Sequence, residues 1–181
     1  MPYTMYQSES PVISADGRRV AFMASVHGLV VSHRTILLRD LENARTYWVS
    51  TNLTDFTGGN LVRCYNPAIN EDGTWVAFKA QGGLLLRHHV DTVATEIVST
   101  NAVDYGDVVE DLSGPSMSPD GRFIAYAAQD TPGALSQIHR WDAGTGDTVL
   151  ISANLEGNDG NGISDSARVS ADGGEVLFLS H

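Results

Sequence analysis

Several residues in this chain are of the types that chemistry uses. His88 and His89 stand side by side, a pattern that invites a metal ion. They fall in a run that reads as a β-strand, where successive side chains point to opposite faces. The pair therefore cannot chelate one ion, and exposed polar positions are expected. His27, His33, His139 and His181 show no zinc spacing. The segment GNDGNGISD (157–165) offers hard oxygen donors of the kind calcium takes, with Asp159, Asn161 and Asp165 as the candidates. Glycine follows both Asp159 and Asn161 and no bidentate Glu closes the loop, so an ordinary glycine-rich turn is the preferred reading. Asp104, Asp107, Glu110 and Asp111 form an acidic cluster, read as a solvated loop. Cys64, the single cysteine, lies in RCYNP and is read as a buried thiol. No G-x-S-x-G elbow is present. Arg39, Arg87 and Arg140 end three similar runs, ILLR, LLLR and QIHR, and are read as one repeated position that pairs with carboxylates of neighbouring sheets. His139 sits in the third of these runs, at the place of Leu38 and Leu86. The expectation is no catalytic residue and no cofactor, with calcium the one ion considered.

The elements that must carry these residues are set by a repeat. The phrases PVISADGRRVAFMAS, PAINEDGTWVAFKAQ, PSMSPDGRFIAYAAQD and ARVSADGGEVLFLS are four copies of one pattern. Their Asp-Gly pairs are Asp16-Gly17, Asp72-Gly73, Asp120-Gly121 and Asp172-Gly173, spaced by 56, 48 and 52 residues. Self-similarity at about 50 residues signals a propeller or a solenoid array. Asp-Gly between alternating apolar runs is a hairpin turn, because Asp bonds backbone groups and Gly takes positive φ freely.

Each unit parses into four strands. Strand A is the short run before the turn: Val12-Ile13-Ser14, Ala68-Ile69-Asn70, Ser116-Met117-Ser118 and Arg168-Val169-Ser170. Strand B alternates large, small, large, with Ala21, Ala77 and Ala125 at the centre and Leu177 in the fourth copy. A small residue there suits the close approach of another sheet. Strand C ends at the arginine, and strand D ends in a Ser followed by x-Asn at Asn52, Asn101 and Asn154. Gly- and Asp-rich stretches lead to the next strand A, and residues 1–10 are read as part of such a connection. The fold class is all-β: a β-propeller of four-stranded antiparallel blades, about three and a half per chain. One domain spans 1–181, with blades near 11–52, 67–101 and 115–154 and a half blade at 167–181.

The phrase P-x-[IM]-[SN]-x-D-G-x-x-[VI]-A-[FY] resembles the WD-like β-propeller repeat of TolB-type proteins, in a bacterial variety with V-S-x-N in strand D and S-x-D-G-R at the turn. Ala167 replaces the leading Pro in the fourth copy and Asn70 replaces the Ser in the second. The resemblance implies periplasmic binding and scaffold proteins, or propeller domains attached to peptidases or lyases, and it carries over no active site.

The chain has 181 residues, 42% of them hydrophobic, and a net charge of −11, which disfavours binding to a phosphate backbone or an anionic membrane. No run approaches the ~18 apolar residues of a membrane span. The opening MPYTMYQSES shows no signal peptide, so a cytoplasmic location is favoured, with the periplasm or the exterior if the chain is a fragment. Three and a half blades leave apolar faces bare, and a homodimer is the expected closure. A protein, peptide or glycan is the expected ligand of a non-enzymatic module. Trp48, Trp75 and Trp141 occupy three different registers, which counts against a sugar site repeated on every blade.

Overall fold

A computed structural model describes residues 4–27, 32–104, 114–131 and 133–181. Blade 1 is the antiparallel sheet β1 (Thr4–Ile13), β2 (Arg19–His27), β3 (Ser32–Asp40) and β4 (Arg45–Trp48). Blade 2 is β5 (Cys64–Ile69), β6 (Trp75–Ala80), β7 (Leu84–His89) and β8 (Ala94–Ser99). Blade 3 is β9 (Ser116–Met117), β10 (Phe123–Ala128), β11 (Gln137–Asp142) and β12 (Thr148–Leu150). The last unit is a two-stranded sheet, β13 (Ser164–Val169) and β14 (Val176–Ser180). In every blade the A–B and C–D turns lie at one end, the turn end. The B–C and D–A connections lie at the other, the loop end.

The repeated phrase folds as a closed hydrogen-bond circuit. The Ser14 hydroxyl donates to Asp16 Oδ1 at 2.6 Å and accepts the Arg19 N–H at 3.0 Å, while Asp16 Oδ1 also accepts the Arg18 N–H. Ser118 with Asp120 and Ser170 with Asp172 repeat it. In blade 2 Asn70 stands for the serine: its Oδ1 accepts the Trp75 N–H at 2.8 Å, and the Thr74 hydroxyl serves Asp72. The Ser14 and Ser118 hydroxyls, then the backbone amides, hold Asp16 and Asp120 below the usual carboxylate range. At Asp172 the Gly174 amide leads and Ser170 follows.

Strand A differs from the sequence expectation. In blades 1 and 2 and in the last unit it begins earlier, in blade 3 it begins at Ser116 as expected, and Ser14, Asn70, Ser118 and Ser170 belong to the turns. Residues 4–10, expected in a connection, are strand: Thr4 pairs with His27 and Glu9 with Met23. The cause is a bulge just before the phrase. Ser10, Asn66 and Ser166 adopt φ of 50°, 52° and 56°, and the register shifts at each of them. The bulge interrupts the alternation that would have marked the upstream half of the strand. Strand D carries a second repeated bulge. Val49 and Ser50 both donate to the Ile36 carbonyl, and Ile151 and Ser152 both donate to Ile138. The freed serine hydroxyls accept the Ile36 N–H at 3.2 Å and the Ile138 N–H at 2.9 Å.

The core lies between blades. Ala21, Met23, Ile36 and Leu38 meet Val76, Phe78 and Leu86. Ala77 and Leu85 meet Ile124, Tyr126 and Trp141. Ala125, Ala127 and Ile138 meet Ala167, Val176 and Phe178. Each central alanine is fully buried and shares a core cluster with an aromatic residue of the next blade, Phe78, Tyr126 or Phe178.

Candidate functional site

The turn end holds a contact repeated from blade to blade. The residue three places after each turn Asp covers the turn glycine of the next blade: Arg19 lies over Gly73, Trp75 over Gly121 and Phe123 over Gly173. A Cβ on Gly73 would stand 2.7 Å from Arg19, and one on Gly121 would stand 2.8 Å from Trp75. A guanidinium then binds the same glycine's carbonyl. Arg19 Nη1 donates to Gly73 O at 3.2 Å, Arg87 Nη1 to Gly121 O at 2.6 Å, and Arg140 Nη1 to Gly173 O. Backbone bonds add to it, from Ala15 N–H to Glu71 O and from Glu71 N–H to Pro119 O.

This geometry corrects the arginine alignment. Arg87 pairs with Ala77 and Arg140 with Ala125, but Arg39 pairs with Val20, and Leu38 is the residue opposite Ala21. Arg39 is one place out of register, so its side chain lies on the other face and bonds Thr46 instead. Arg19, from strand B, supplies the guanidinium that blade 1 lacks. The same shift moves His139 to the place of Leu86 and Leu37, not Leu38, where its ring stacks on Tyr126 at 5.9 Å. The expected pairing with carboxylates of neighbouring blades is seen at Arg19, whose guanidinium lies 3.4 Å from Asp91 of blade 2, whereas Arg87 pairs with Glu96 of its own sheet, at 2.6 Å.

The histidine pair also differs from expectation. His88 is buried, not exposed, and accounts for a link between blades. The Thr95 hydroxyl donates to Asn52 Oδ1 of blade 1 at 2.9 Å, so it accepts from His88 Nδ1 at 2.8 Å, and Nδ1 carries the proton. Burial, then the neighbouring His89, pushes His88 down to about 4. His89 points the other way and packs edge-on against Trp75. Cys64 opens β5, and burial pushes its thiol up to about 12.

Asp159 and Asn161 lie in the loop before β13, whereas Asp165 lies within β13, opposite Leu179. The loop is closed by protein groups. Asn154 Oδ1 accepts the Glu156 and Asn158 amides, and Gln137 bonds Gly160 and Gly162. Among the described residues no three His, Cys, Asp or Glu side chains gather as a metal site. Asp107, Glu110 and Asp111 lie outside the described residues. Asp104 is ordered by neighbours: its carboxylate accepts the Tyr65 hydroxyl and, at 2.6 Å, the Gly82 N–H.

The loop end of blade 2 carries the feature the sequence did not reveal. A groove of about 310 Å³ is lined by Phe56, Thr57, Asn60, Val62, Gln81, Gly82, Leu84 and Thr100. Phe56 and Val62 come from the D–A connection, Gln81, Gly82 and Leu84 from the B–C turn and its edge, and Thr100 follows strand D. The Asp104–Gly82 bond fixes the turn that forms one wall. In β6 Lys79 is 2% exposed, with its ammonium 5.3 Å from the centre of the Tyr65 ring. Sequence reasoning missed this lysine because it occupies an apolar slot in strand B.

No family model matches the chain, and no curated protein sequence does either. Solved structures do. Over 99% of this chain it superposes on 15% of the tricorn protease, with a TM-score of 0.65 and 15% identity. TolB from Acinetobacter baumannii matches 97% of this chain over 38% of its own, at 0.61 and 16%. Oligogalacturonate lyase from Vibrio parahaemolyticus matches 99% over 47%, at 0.63 and 11%. The chain spans less than half of each of these proteins. The likeness shows the fold: a TolB-like β-propeller, present here as three four-stranded blades and one of two strands.

Proposed function

We propose that this chain is a non-enzymatic binding or scaffold module whose propeller is completed by a second copy. The repeated contact at the turn end is the observation that carries the proposal. Gly73, Gly121 and Gly173 are each covered by the preceding blade, whereas nothing stands within 4 Å of a Cβ on Gly17. At the other end of the arc Leu177 is 76% exposed and Leu179 54%. Faces of this kind are buried at every step between described blades, and leaving them in water forfeits the stabilisation that the interior faces gain. A blade preceding Gly17 and one following Leu177 would restore it, and a second copy offers both. A binding role is supported by the loop end, where a groove opens between ordered walls. The buried thiol of Cys64 and the bonded imidazole of His88 support a structural use of these groups.

The test is the solution mass of the 181-residue chain by light scattering, over a hundredfold range of concentration. A mass of two chains that falls to one with Leu177→Asp supports closure by a second copy. A monomer throughout overturns it and assigns the bare faces to further blades of a longer chain. The similar proteins favour one second reading, in which the chain is the propeller portion of a larger enzyme, since they include a protease and a lyase of more than twice its length. A catalytic domain encoded in the same reading frame would decide for that reading.

A further inference from the structure

We infer that the groove at the loop end of blade 2 is a binding site for a neutral sugar ring. This rests on the binding-module reading and names its ligand class. The floor is apolar: Phe56, Val62 and Leu84 are half-buried and packed on the core shared by blades 1 and 2. The rim is polar and uncharged, formed by the hydroxyls of Thr57 and Thr100 and the amides of Asn60 and Gln81. A pyranose has this same division, with an apolar face of C–H groups and an edge of hydroxyls that both donate and accept. The Asn60 and Gln81 amides and the Thr100 hydroxyl can each do both in return, and the Thr57 hydroxyl, its proton given to backbone carbonyls, can accept.

Charge and size narrow the ligand. The chain carries a net charge of −11, yet among the described residues no ionisable side chain lines the groove. An ionic ligand would be partly desolvated there without a partner of opposite charge, which opposes its binding. A cavity of about 310 Å³ sits at the lower end of the range for small-ligand sites and suits one ring better than a chain of them. The walls are fixed before a ligand arrives. The Gly82 N–H is held by Asp104, the Ala102 N–H bonds the Gly83 carbonyl at 2.9 Å, and the Thr57 hydroxyl bonds the Leu53 carbonyl at 3.2 Å. A preformed site loses little entropy on binding. The groove is built from the connection between blades 1 and 2 and the loops of blade 2, with no motif repeated on every blade, so it is compatible with tryptophans that follow no common register.

The experiment is a two-dimensional amide NMR titration of the intact chain with methyl α-D-glucopyranoside and methyl α-D-galactopyranoside. A blocked trialanine peptide and D-glucuronate are run as controls. Saturable shifts confined to Asn60, Gln81, Gly82 and Thr100 are expected from a neutral sugar, with a dissociation constant of about 1–10 mM, ordinary for one ring. Gln81→Ala, an exposed position, should weaken binding about fivefold to tenfold through one lost hydrogen bond while leaving the melting temperature unchanged. No saturable shift with either sugar overturns the inference. So does saturation of the groove by the peptide or the acidic sugar alone. Peptide binding there would leave the binding-module reading standing, and the mass measurement judges closure separately.

Discussion

The Arg87 guanidinium donates to the Gly121 carbonyl at 2.6 Å while its carbon lies 3.8 Å from the Trp75 ring centre and 5.0 Å from that of Trp141. One side chain thus joins two blades: it bonds Gly121 and meets the Trp141 face in blade 3 while Glu96 and the Trp75 face hold it in blade 2. Replacing it by Ala leaves a buried carbonyl unpaired and a slot between two indoles. The expected loss is about 2–4 kcal/mol in urea denaturation, with Arg87→Lys recovering less than half, because an ammonium neither stacks nor forks. Arg39→Ala, outside this register, should cost less than about 0.5 kcal/mol.

Gly17 and Gly121 share a backbone conformation, with φ of 73° and 75°, but differ in surroundings. Gly17→Ala carries only the strain of a left-handed alanine, about 1 kcal/mol. Gly121→Ala adds a clash with the Trp75 ring and should cost about 1–3 kcal/mol more. Paired melting curves on dilute samples measure the difference. Equal losses would mean that the ring does not cover the glycine as described.

His88 gives the fold a specific response to acid. Its pKa is about 4 in the folded chain against 6.5 ordinarily, so below 6.5 the unfolded state takes up the proton first. The stability from the neutral imidazole is fully present above pH 6.5 and declines as pH falls towards 4. The decline should reach about 1–3 kcal/mol. His88→Gln keeps a hydrogen-bonding group without a titration. Denaturation curves of this variant should change less between pH 6.5 and 4 than those of the parent chain.

Cys64 should resist a thiol reagent such as a disulfide dye under native conditions and react at once in denaturant, since burial holds the thiol protonated. Fast native labelling would place the sulfur at the surface instead.

Ser152 tests the strand D bulge. Its hydroxyl accepts the Ile138 N–H and donates to Gln137 Oε1 at 2.6 Å, all of it buried. Ser152→Ala should cost about 1–3 kcal/mol, visible as a lower urea midpoint with an unchanged slope.

The repeat made the blades legible because Asp-Gly recurs with the same apolar alternation on each side. The central alanines also read correctly, since a small residue among large ones can only mean a close neighbour. The bulges did not read. Ser10, Asn66 and Ser166 are polar residues of ordinary appearance, and nothing in their identity announces a left-handed backbone. That hid the upstream half of strand A. It also left the sequence alignment of Arg39 unchecked, because only strand pairing shows that Leu38, not Arg39, lies opposite Ala21. His88 misled for a related reason: a polar residue in an alternating strand is assigned to solvent, but both faces of a propeller strand are covered by other blades. The groove was illegible because its residues come from three separate connections and share no motif.

The contacts that the turn glycines and turn backbones make between blades all run one way. Arg19, Arg87, Arg140, Ala15 and Glu71 each donate forward along the chain, to a carbonyl of the following blade. A contact with such a direction is heterologous and cannot be satisfied by two identical patches facing each other. An assembly that reuses it is therefore set by rotation about the propeller axis. If one arc spans half a turn, two copies close and stop. If it spans any other share, the same contact either recruits more copies to reach a full circle or misses its own start and climbs into an open helix.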